Sequence, residues 1–413
     1  MSAREFSPPA NRLKLLMLAP VVPFPPDAGL KVRVFNLAKE LAGRHEVHLF
    51  CLGRDMTDPS AAAAIRDAGI TLTVIKKPPV GLMEKVAVYL DRLVHGVPEP
   101  YILSWERTIF RELMAIDPAG FDAVIAEHLF MARYATRLNM VKVITEHNVE
   151  GDLAIQLAKA LPPVTRWLRK AEAAWITHYE KRMLRFFSAV IAVSEPDRLA
   201  LQAMSEAPVT TVGNGVDCAR FASAFEAPHP AELRLLFLGL LSYQPNEEAV
   251  EWFTRKVLPL IRTNFPEAVL TIAGAEPSAR VLSLDNGDSV RVTGPVSDVL
   301  PSYRDSSLMV VPLLQGGGSR LKVLEAFAAG VPVVSTSKGA EGLLAEDGTH
   351  LLIADAAADF AAAVSRLLED EELYMRLRRN ARKLVESRYD WPILAADLET
   401  VLRGVVEDQG KLN

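Results

Sequence analysis

Short apolar runs alternate with longer stretches of helical periodicity along the first half of the chain. The helical stretches are Lys31–Ala42, Ala61–Ala68 and Asp152–Phe187. Because buried apolar strands separated by helices are typical of parallel sheets covered on both faces, this half predicts an α/β domain. The runs that predict its strands are Leu13–Leu18, Val47–Leu52, Ile70–Ile75, Ala123–Ala126, Val141–Thr145 and Ala189–Val193.

The second half repeats the same alternation, and two such blocks predict two Rossmann-like domains. Turn-forming residues at 212–217, followed by Pro228 and Pro230, mark the boundary region, and we place the domains at residues 1–207 and 208–391. The predicted strands of the second half are Leu233–Leu238, Ala268–Ala273, Val290–Thr293, Leu308–Pro312, Val331–Ser335 and Leu351–Ile353. Its predicted helices lie near Glu247–Arg262, Arg320–Ala329, Ala357–Leu368 and Glu371–Ser387.

Composition narrows the class of protein. The chain has 413 residues, of which 50% are hydrophobic and 23% charged, as expected of a globular protein with two cores. A net charge of −5 gives no overall attraction to nucleic acid, so we expect no nucleic-acid partner. Cys51 and Cys218 are too few for a disulfide framework or a four-ligand metal site.

No apolar stretch is long enough to span a membrane, and prolines interrupt the first apolar run, unlike that of a signal peptide. We expect a cytoplasmic protein.

The segment from Gly316 to Gly342 carries the strongest functional signal. Arg320 and Lys322 lie in the predicted first turn of a helix, where cations are unfavourable unless an anion such as a diphosphate compensates them. Glu325, about one turn further on, could accept hydrogen bonds from both hydroxyls of a ribose. Backbone amides that could bind the anion belong to the loop before this helix, formed by Gly316, Gly317, Gly318 and Ser319.

A simpler interpretation is a glycine-rich turn in which Lys322 and Glu325 form an ordinary i,i+3 ion pair on a solvated face. The residues that follow favour the functional interpretation, because together with this segment they carry a family resemblance. Residues 318–326 (Gly-Ser-Arg-Leu-Lys-Val-Leu-Glu-Ala), 330–334 (Gly-Val-Pro-Val-Val) and 339–342 (Gly-Ala-Glu-Gly) resemble the donor site of glycosyltransferase family 4, in particular its branch from bacterial exopolysaccharide clusters. Other segments resemble the same family and follow in the same order along the chain: Pro25–Gly29, Val193–Glu195, Gly213–Asp217, Gly294–Asp298 and Tyr389–Trp391.

The resemblance implies a GT-B fold, an α/β architecture in which two Rossmann-like domains face each other across a cleft. It implies transfer of a sugar from a nucleotide-sugar donor with retention of configuration, without a metal or a cofactor. It also implies that a helix at residues 392–413 completes the first domain, and it supports Gly29 as a neighbour of the donor phosphates. We expect the loops around Gly274 and Val296 to contact the nucleobase through backbone groups.

Two departures from the family pattern affect the donor site. Gly317 stands where the family often has the first Glu of a Glu-x7-Glu pair, the residue that usually contacts the donor sugar. The loop at residues 239–246 has no cation, although the family often places an Arg and a Lys there. Arg320 and Lys322 would then neutralise the diphosphate, and the identity of the sugar stays open.

Histidines follow two predicted strands of the first half. His147 is a candidate catalytic residue, since a histidine on such a loop can donate to a phosphate or a sugar hydroxyl as charge develops. Glu127 and His128 form a similar pair, which we assign to the acceptor side. A loop histidine that merely satisfies a nearby carbonyl is the alternative in both places. The mechanism we expect is electrostatic, with the diphosphate held by the loop amides, Arg320 and Lys322, and the acceptor attacking the face that it leaves.

Residues 153–190 contain seven Lys or Arg residues against two Glu, with Trp167, Trp175, Phe186 and Phe187 among them. We favour two helices whose aromatic side chains lie in the core and whose cations form a solvated face, and contact with an anionic membrane surface is the alternative. The whole sequence predicts a retaining glycosyltransferase that acts on a glycan or lipid-linked acceptor in polysaccharide or glycoconjugate synthesis. Two other functions stay open: a nucleotide-sugar epimerase of the same architecture and a nucleotide-sugar-binding protein without turnover.

Overall fold

The computed structural model describes residues 12–53, 59–76, 81–83, 86, 90, 96–98, 101, 106–117, 120–159, 163–227, 233–316 and 320–412. These residues divide into two compact units. The first unit runs up to Gly213 and includes the residues from Leu394 onward, and the second is Asn214–Ile393.

The first unit is built on a parallel sheet with helices between successive strands. Its strands are β1 (Lys14–Ala19), β2 (Glu46–Gly53), β3 (Thr71–Lys76), β4 (Ala123–Glu127), β5 (Val141–Glu146), β6 (Ala189–Ala192) and β7 (Val209–Thr211). Among the described residues they pair in the order β3-β2-β1-β4-β5-β6-β7. Its helices are α1 (Gly29–Ala42), α2 (Pro59–Asp67), α3 (Glu106–Ala115), α4 (Leu129–Ala135), α5 (Glu150–Lys159), α6 (Pro163–Leu184) and α7 (Glu195–Gln202).

The second unit has the same architecture. Its strands are β8 (Arg234–Leu238), β9 (Val269–Ala273), β10 (Val290–Gly294), β11 (Leu308–Val311), β12 (Val333–Ser335) and β13 (Leu352–Ile353). Within the described residues their order is β10-β9-β8-β11-β12-β13, and every pair is parallel. Its helices are α8 (Ala222–Glu226), α9 (Gln244–Trp252), α10 (Leu258–Asn264), α11 (Ala279–Leu282), α12 (Leu300–Arg304), α13 (Leu321–Ala329), α14 (Ser337–Ala340), α15 (Ala357–Glu369) and α16 (Glu371–Arg388).

Strand order identifies the edge of each sheet where a ligand would bind. In the first sheet the order reverses between β1 and β4, and in the second between β8 and β11. Adjacent loops leave the sheet in opposite directions at such a point, and the crevice between them is the usual ligand site of open α/β sheets. The residues that follow β1, β4, β8 and β11 are therefore in position for chemistry.

The last helix, α17 (Trp391–Leu412), begins in the second unit, and its residues from Leu394 onward belong to the first. Glu399 on this helix accepts a hydrogen bond from Arg44 Nη1 at 2.8 Å and lies 3.3 Å from His45 Nε2. His45 is buried, so this contact fastens α17 to the end of α1.

Prolines divide two helices that the sequence predicts to be continuous. The stretch Asp152–Phe187 forms two helices, and Pro163 begins the second of them, where its missing N–H costs no helical hydrogen bond. The stretch Glu247–Arg262 forms α9, a π-helical turn (Phe253–Val257) and α10, in which Pro259 lacks the N–H that would bond the carbonyl four residues earlier.

Within the described residues, no helix combines the length and apolarity needed to cross a membrane.

Candidate functional site

Three glycines bring the strand-end loops of the second sheet close together. Gly239 follows β8 and its amide donates to the Ala273 carbonyl at 3.1 Å, while the Gly274 amide donates to the Gly294 carbonyl at 2.9 Å. Gly274 has a φ of +150°, and a Cβ there would lie 1.7 Å from the Gly239 carbonyl oxygen. This approach of two backbones requires glycine. Val296 lies just after β10 and is partly buried against the core of the same unit.

Lys322 lies on the first turn of α13 and reaches back to the loop after β8. Its Nζ is 3.2 Å from Asn246 Oδ1 and 4.3 Å from the centre of the Phe237 ring. A Cβ on Gly239 would lie 2.8 Å from this Nζ, so the glycine leaves room for the ammonium group. Burial and the charge of Arg320 lower the pKa of Lys322 to about 7, against the opposing influence of Glu325.

Glu325 is held by a buried tyrosine. The Tyr303 hydroxyl donates to Glu325 Oε2 at 2.8 Å and lies 3.1 Å from the Lys322 carbonyl oxygen. Burial raises the pKa of Glu325, while the Tyr303 hydrogen bond and the charges of Arg220 and Lys322 lower it. Both side chains are described, and Lys322 and Glu325 form no salt bridge with each other. An ordinary ion pair on a solvated face therefore does not describe this turn.

Arg320 immediately precedes α13, whereas the sequence predicts it inside the first turn. The residue is only 6% exposed. Its Nη2 donates to the Lys338 carbonyl at 2.8 Å and to the Gly316 carbonyl at 3.3 Å, and lies 3.7 Å from Glu341 Oε2. Burial lowers the pKa of Arg320, and Glu341 opposes that effect. Arg320 thus joins the two ends of the glycine loop in addition to supplying a charge.

Of the glycine loop itself, Gly316 lies within the described residues. Gly316 has a φ of +102°, and a Cβ there would lie 3.0 Å from Pro245 Cβ and 3.3 Å from Tyr243 Oη. Glycine is therefore required at this position. The other three residues whose amides are predicted to hold the diphosphate, Gly317, Gly318 and Ser319, lie outside the described residues.

In the first unit, Gly29 is the first residue of α1, in the segment that follows β1. Ala28 at the N-cap has no side-chain acceptor for the first amides of this helix. The first amides of a helix without a side-chain cap favour an anion, so Gly29 stays a candidate neighbour of the donor phosphates.

Glu127, His128 and His147 come together at the ends of the neighbouring strands β4 and β5. His147 Nε2 lies 3.2 Å from Glu127 Oε2, and the two imidazole rings stack with their centres 5.9 Å apart at 30°. Glu127 is fully buried, and the side chain of His147 is 10% exposed. Burial lowers the pKa of His147, while the hydrogen bond and charge of Glu127 oppose this.

His128 has a backbone φ of +87°, which is unusual for a residue with a side chain. Its Nδ1 accepts from the Phe130 amide at 3.2 Å and so caps α4, while Nε2 lies 3.2 Å from Glu150 Oε1. Burial alone would raise the pKa of Glu150, yet hydrogen bonds from His128 and Tyr101 lower it. The Tyr101 hydroxyl donates to Glu150 Oε2 at 2.6 Å.

Sequence reasoning missed four residues that hold these groups: Asn246, Tyr303, Arg33 and Glu150. For Arg33 a signal existed, since it shares a helix face with the apolar Leu37 one turn later and is fully buried. For Tyr303, which meets Glu325 from a different helix, the sequence offers no signal. In the described part of the chain, no group of three or more His, Cys, Asp or Glu side chains is arranged to hold a metal ion.

Comparison with known proteins identifies the family. Residues 28–220 match the family model described as Glycosyltransferase Family 4, and residues 232–370 match the model described as Glycosyl transferases group 1. The phosphatidyl-myo-inositol mannosyltransferase of Mycolicibacterium smegmatis is 30% identical over 358 residues, which cover 83% of this chain and 88% of that protein. The chain belongs to glycosyltransferase family 4. A second relative of this family 4 chain is an uncharacterized 44.6 kDa protein from the cps region of Klebsiella pneumoniae, which is 29% identical over 164 residues, 38% of this chain and 42% of the relative.

Solved structures confirm the predicted fold. The sucrose-phosphate synthase of Thermosynechococcus elongatus superposes with a TM-score of 0.66 at 18% identity, over 96% of this chain and all of that one. Anabaena HepE, solved in complex with UDP-glucose, gives a TM-score of 0.63 at 15% identity, over 95% of this chain and 100% of that one. The family 4 chain thus has the predicted GT-B fold and is a glycosyltransferase, as its sequence predicts.

Proposed function

We propose that this glycosyltransferase transfers a sugar from a nucleoside-diphosphate sugar to a glycan or lipid-linked acceptor, with retention of configuration and without a metal or other cofactor. The reaction would belong to polysaccharide or glycoconjugate synthesis. The observation that carries the proposal is the pair of poorly solvated cations, Arg320 and Lys322, at the start of α13. Burial disfavours the charged form of each side chain. The negative charge of a bound diphosphate would compensate both cations.

The geometry around these cations suggests how the donor is held. Lys322 Nζ, next to the loop after β8, and the Arg320 guanidinium would stabilise the negative charge that forms on the leaving diphosphate. Tyr303 uses one oxygen of Glu325, Oε2, and leaves Oε1 as an acceptor for a ribose hydroxyl. Gly29, Gly316 and the backbone around Val296 would complete the contacts with phosphates and nucleobase.

On the first unit, His147 would assist the reaction at the sugar, and the acceptor would bind near His128. The relatives support the proposed donor and acceptor: the name of the Mycolicibacterium enzyme specifies a lipid acceptor, and HepE was solved with UDP-glucose. The Klebsiella relative belongs to a cps region.

A lipid-linked acceptor would explain the surface of α6. Trp167 is 64% exposed and Leu168 54% exposed, between Arg166 and Lys170. Exposed apolar side chains flanked by cations suit the interface of an anionic bilayer. The interpretation in which the aromatic side chains lie in the core holds for Phe187, which is buried, but not for Trp167.

The donor site can be tested by thermal shift with UDP, GDP, ADP and CMP and their sugar conjugates. A ligand that binds the folded state raises the melting temperature by mass action. We expect a shift with one nucleotide class, and its loss in the double variant Arg320→Ala/Lys322→Ala. The matched control, Arg255→Ala/Arg304→Ala, removes two exposed cations of the same unit and should keep the shift. An equal shift in both double variants would place the donor elsewhere.

The stereochemistry of the product tests the reaction. With the donor identified, proton NMR of the product of an α-linked donor should show a new α-glycosidic linkage in the absence of divalent cations and in the presence of EDTA. A β-linkage would contradict retention, and loss of activity in EDTA would contradict metal independence. Free sugar as the sole product would contradict transfer to an acceptor.

A further inference from the structure

The end of β4 places a fully buried carboxylate against the candidate catalytic histidine. Glu127 is the last residue of β4 and lies opposite Thr145 in the register of β5, two residues before His147. Its Oε2 is 3.2 Å from His147 Nε2, and its Oε1 has no hydrogen-bond partner among the described residues. A buried carboxylate is costly unless charges or hydrogen bonds compensate it, so this contact is energetically important for both residues.

Arg33 of α1 supplies the compensating charge. The residue is fully buried and its Nη1 donates to the Gly213 carbonyl at 2.5 Å. Burial lowers the pKa of Arg33 to about 10, and the negative charge of Glu127 opposes that effect, so Arg33 remains protonated at neutral pH. The charge of the Arg33 guanidinium thus offsets that of the Glu127 carboxylate.

An ionised carboxylate accepts hydrogen bonds and donates none, so the shared proton must reside on His147 Nε2. In the neutral ring the other nitrogen, Nδ1, then carries a lone pair. Within the described part of the chain, Nδ1 has no hydrogen-bond partner. His128 stacks on the ring from one side, and its own orientation is fixed by the Phe130 amide and Glu150. The stacking therefore fixes the orientation of the His147 ring, and the contact with Glu127 fixes its tautomer.

We propose that Glu127 is a positioning residue that holds His147 as the Nε2–H tautomer, so that His147 enters the transfer reaction as a hydrogen-bond acceptor, through Nδ1, for a sugar hydroxyl. This inference rests on the proposed function for the presence of a sugar at His147. It replaces the donor role that the sequence predicts for His147 with an acceptor role, and it gives Glu127 an indirect role in place of contact with the acceptor substrate.

The first test determines the tautomer of His147 in the wild-type protein. Histidine-selective 15N labelling and NMR of the intact protein report which nitrogen of each neutral imidazole carries the proton. The chain has eight histidines, and the His147 signals are assigned by their loss in His147→Gln. We expect the Nε2–H tautomer at neutral pH. The Nδ1–H tautomer would overturn the inference whatever the activity of the enzyme.

The second test changes the carboxylate. An amide can donate to Nε2, so Glu127→Gln should shift His147 toward the Nδ1–H tautomer and lower kcat by about 10- to 100-fold, with a smaller change in the donor KM. Glu127→Asp keeps the carboxylate on a shorter side chain and should recover part of the lost kcat. Wild-type kcat in Glu127→Gln, with the tautomer changed, would overturn the functional role.

A matched control comes from the other end of the same sheet. Glu399 lies 3.3 Å from His45 Nε2, and His45 Nδ1 accepts from the Leu13 amide, so this is a second buried histidine–carboxylate pair. Glu399→Gln should leave kcat unchanged while altering the NMR signals of His45 alone. If His147→Ala retains full activity, the role of His147 in the proposed function fails, and the tautomer result is unaffected by that failure.

Discussion

At the scale of single residues, the proposed donor site depends on the absence of a side chain at Gly239. Lys322 Nζ occupies the space next to Gly239, where a Cβ would lie 2.8 Å from Nζ and 2.9 Å from Asn246 Nδ2. The family often places cations on this loop, whereas here the glycine admits a cation from α13. A glycine after a strand is usually explained by backbone geometry, and this one also makes room for a charge.

Gly239→Ala should therefore affect donor binding more than folding. Because the nearest atom is the end of a flexible side chain, Lys322 can move away, and we expect donor affinity to fall about tenfold, or ~1.4 kcal/mol. Isothermal titration with the donor found by thermal shift measures the change. Gly404→Ala is the control, since a Cβ there meets nothing within 4 Å. Unchanged affinity in Gly239→Ala would show that Lys322 does not act from this position.

Residue patterns predicted candidate groups better than they predicted contacts. Strand ends and turn residues were enough to select His147, Lys322 and Glu325, because ligands bind at the carboxyl ends of parallel strands. The hydrogen bond from Tyr303 to Glu325 joins two helices, and no spacing in the sequence encodes it. Likewise, the pairing of Glu127 with His147 follows from the adjacency of β4 and β5, which only the folded sheet shows.

At the scale of elements, α13 presents a poorly solvated ammonium group at its start. The pKa of Lys322 is lowered to about 7 by burial and by Arg320, so near neutral pH the group is only partly protonated in the free protein. A diphosphate favours the charged form and raises this pKa in the complex. Binding above pH 7 therefore requires uptake of a proton.

The sign of the pH dependence follows from this proton uptake. Donor affinity should be highest below about pH 7 and fall as the pH rises, with Kd increasing up to tenfold per pH unit until the raised pKa of the complex is reached. Titration with the intact nucleotide sugar, whose phosphates do not titrate in this range, measures the effect. Lys322→Met should bind more weakly and with a flat profile between pH 7 and 9. An equally steep profile in that variant would assign the titration to another group.

Helix boundaries were the least predictable part of the elements. Apolar periodicity alone joins α5 with α6 and α9 with α10, because the same face stays apolar across each junction. Pro163 begins α6, where its missing N–H costs no hydrogen bond, whereas Pro259 removes one N–H from the helical hydrogen-bond ladder. The strands were more predictable, since each buried strand is a short apolar run. The three-residue β7, Val209–Thr211, is too short and too polar to stand out.

At the scale of the whole molecule, the twin α/β architecture follows from the rhythm of strands and helices, and GT-B structures confirm it. The surface is harder to predict, since a periodic pattern does not say which aromatic side chains are covered. In the basic stretch, Phe187 is buried while Trp167 and Phe186 are exposed. The sequence left a position in the core and contact with a membrane open for these residues. The burial of Phe187 fits the first interpretation, and the exposure of Trp167 and Phe186 fits the second.

The proposed membrane contact through α6 can be measured on the whole enzyme. Trp167 and Leu168 together expose an apolar patch beside Arg166 and Lys170. We expect the wild-type protein to sediment with vesicles that contain phosphatidylglycerol, to sediment less at high salt, and to stay in the supernatant with phosphatidylcholine alone. Trp167→Ser/Leu168→Ser should lower the bound fraction several-fold, because the apolar anchor is lost while the cations remain.

Two exposed leucines of the second unit provide the control for this experiment. Leu282 is 51% exposed and Leu344 61% exposed, so Leu282→Ser/Leu344→Ser removes a similar amount of apolar surface away from the basic stretch. This variant should bind vesicles as the wild type does. Both variants should transfer sugar to a water-soluble acceptor at the wild-type rate, because neither changes the donor site. Equal loss of vesicle binding in the two variants would point to general adhesion of apolar surface. Undiminished binding in Trp167→Ser/Leu168→Ser would exclude α6 as the contact, and the lipid-linked acceptor would then have to reach the enzyme by another surface.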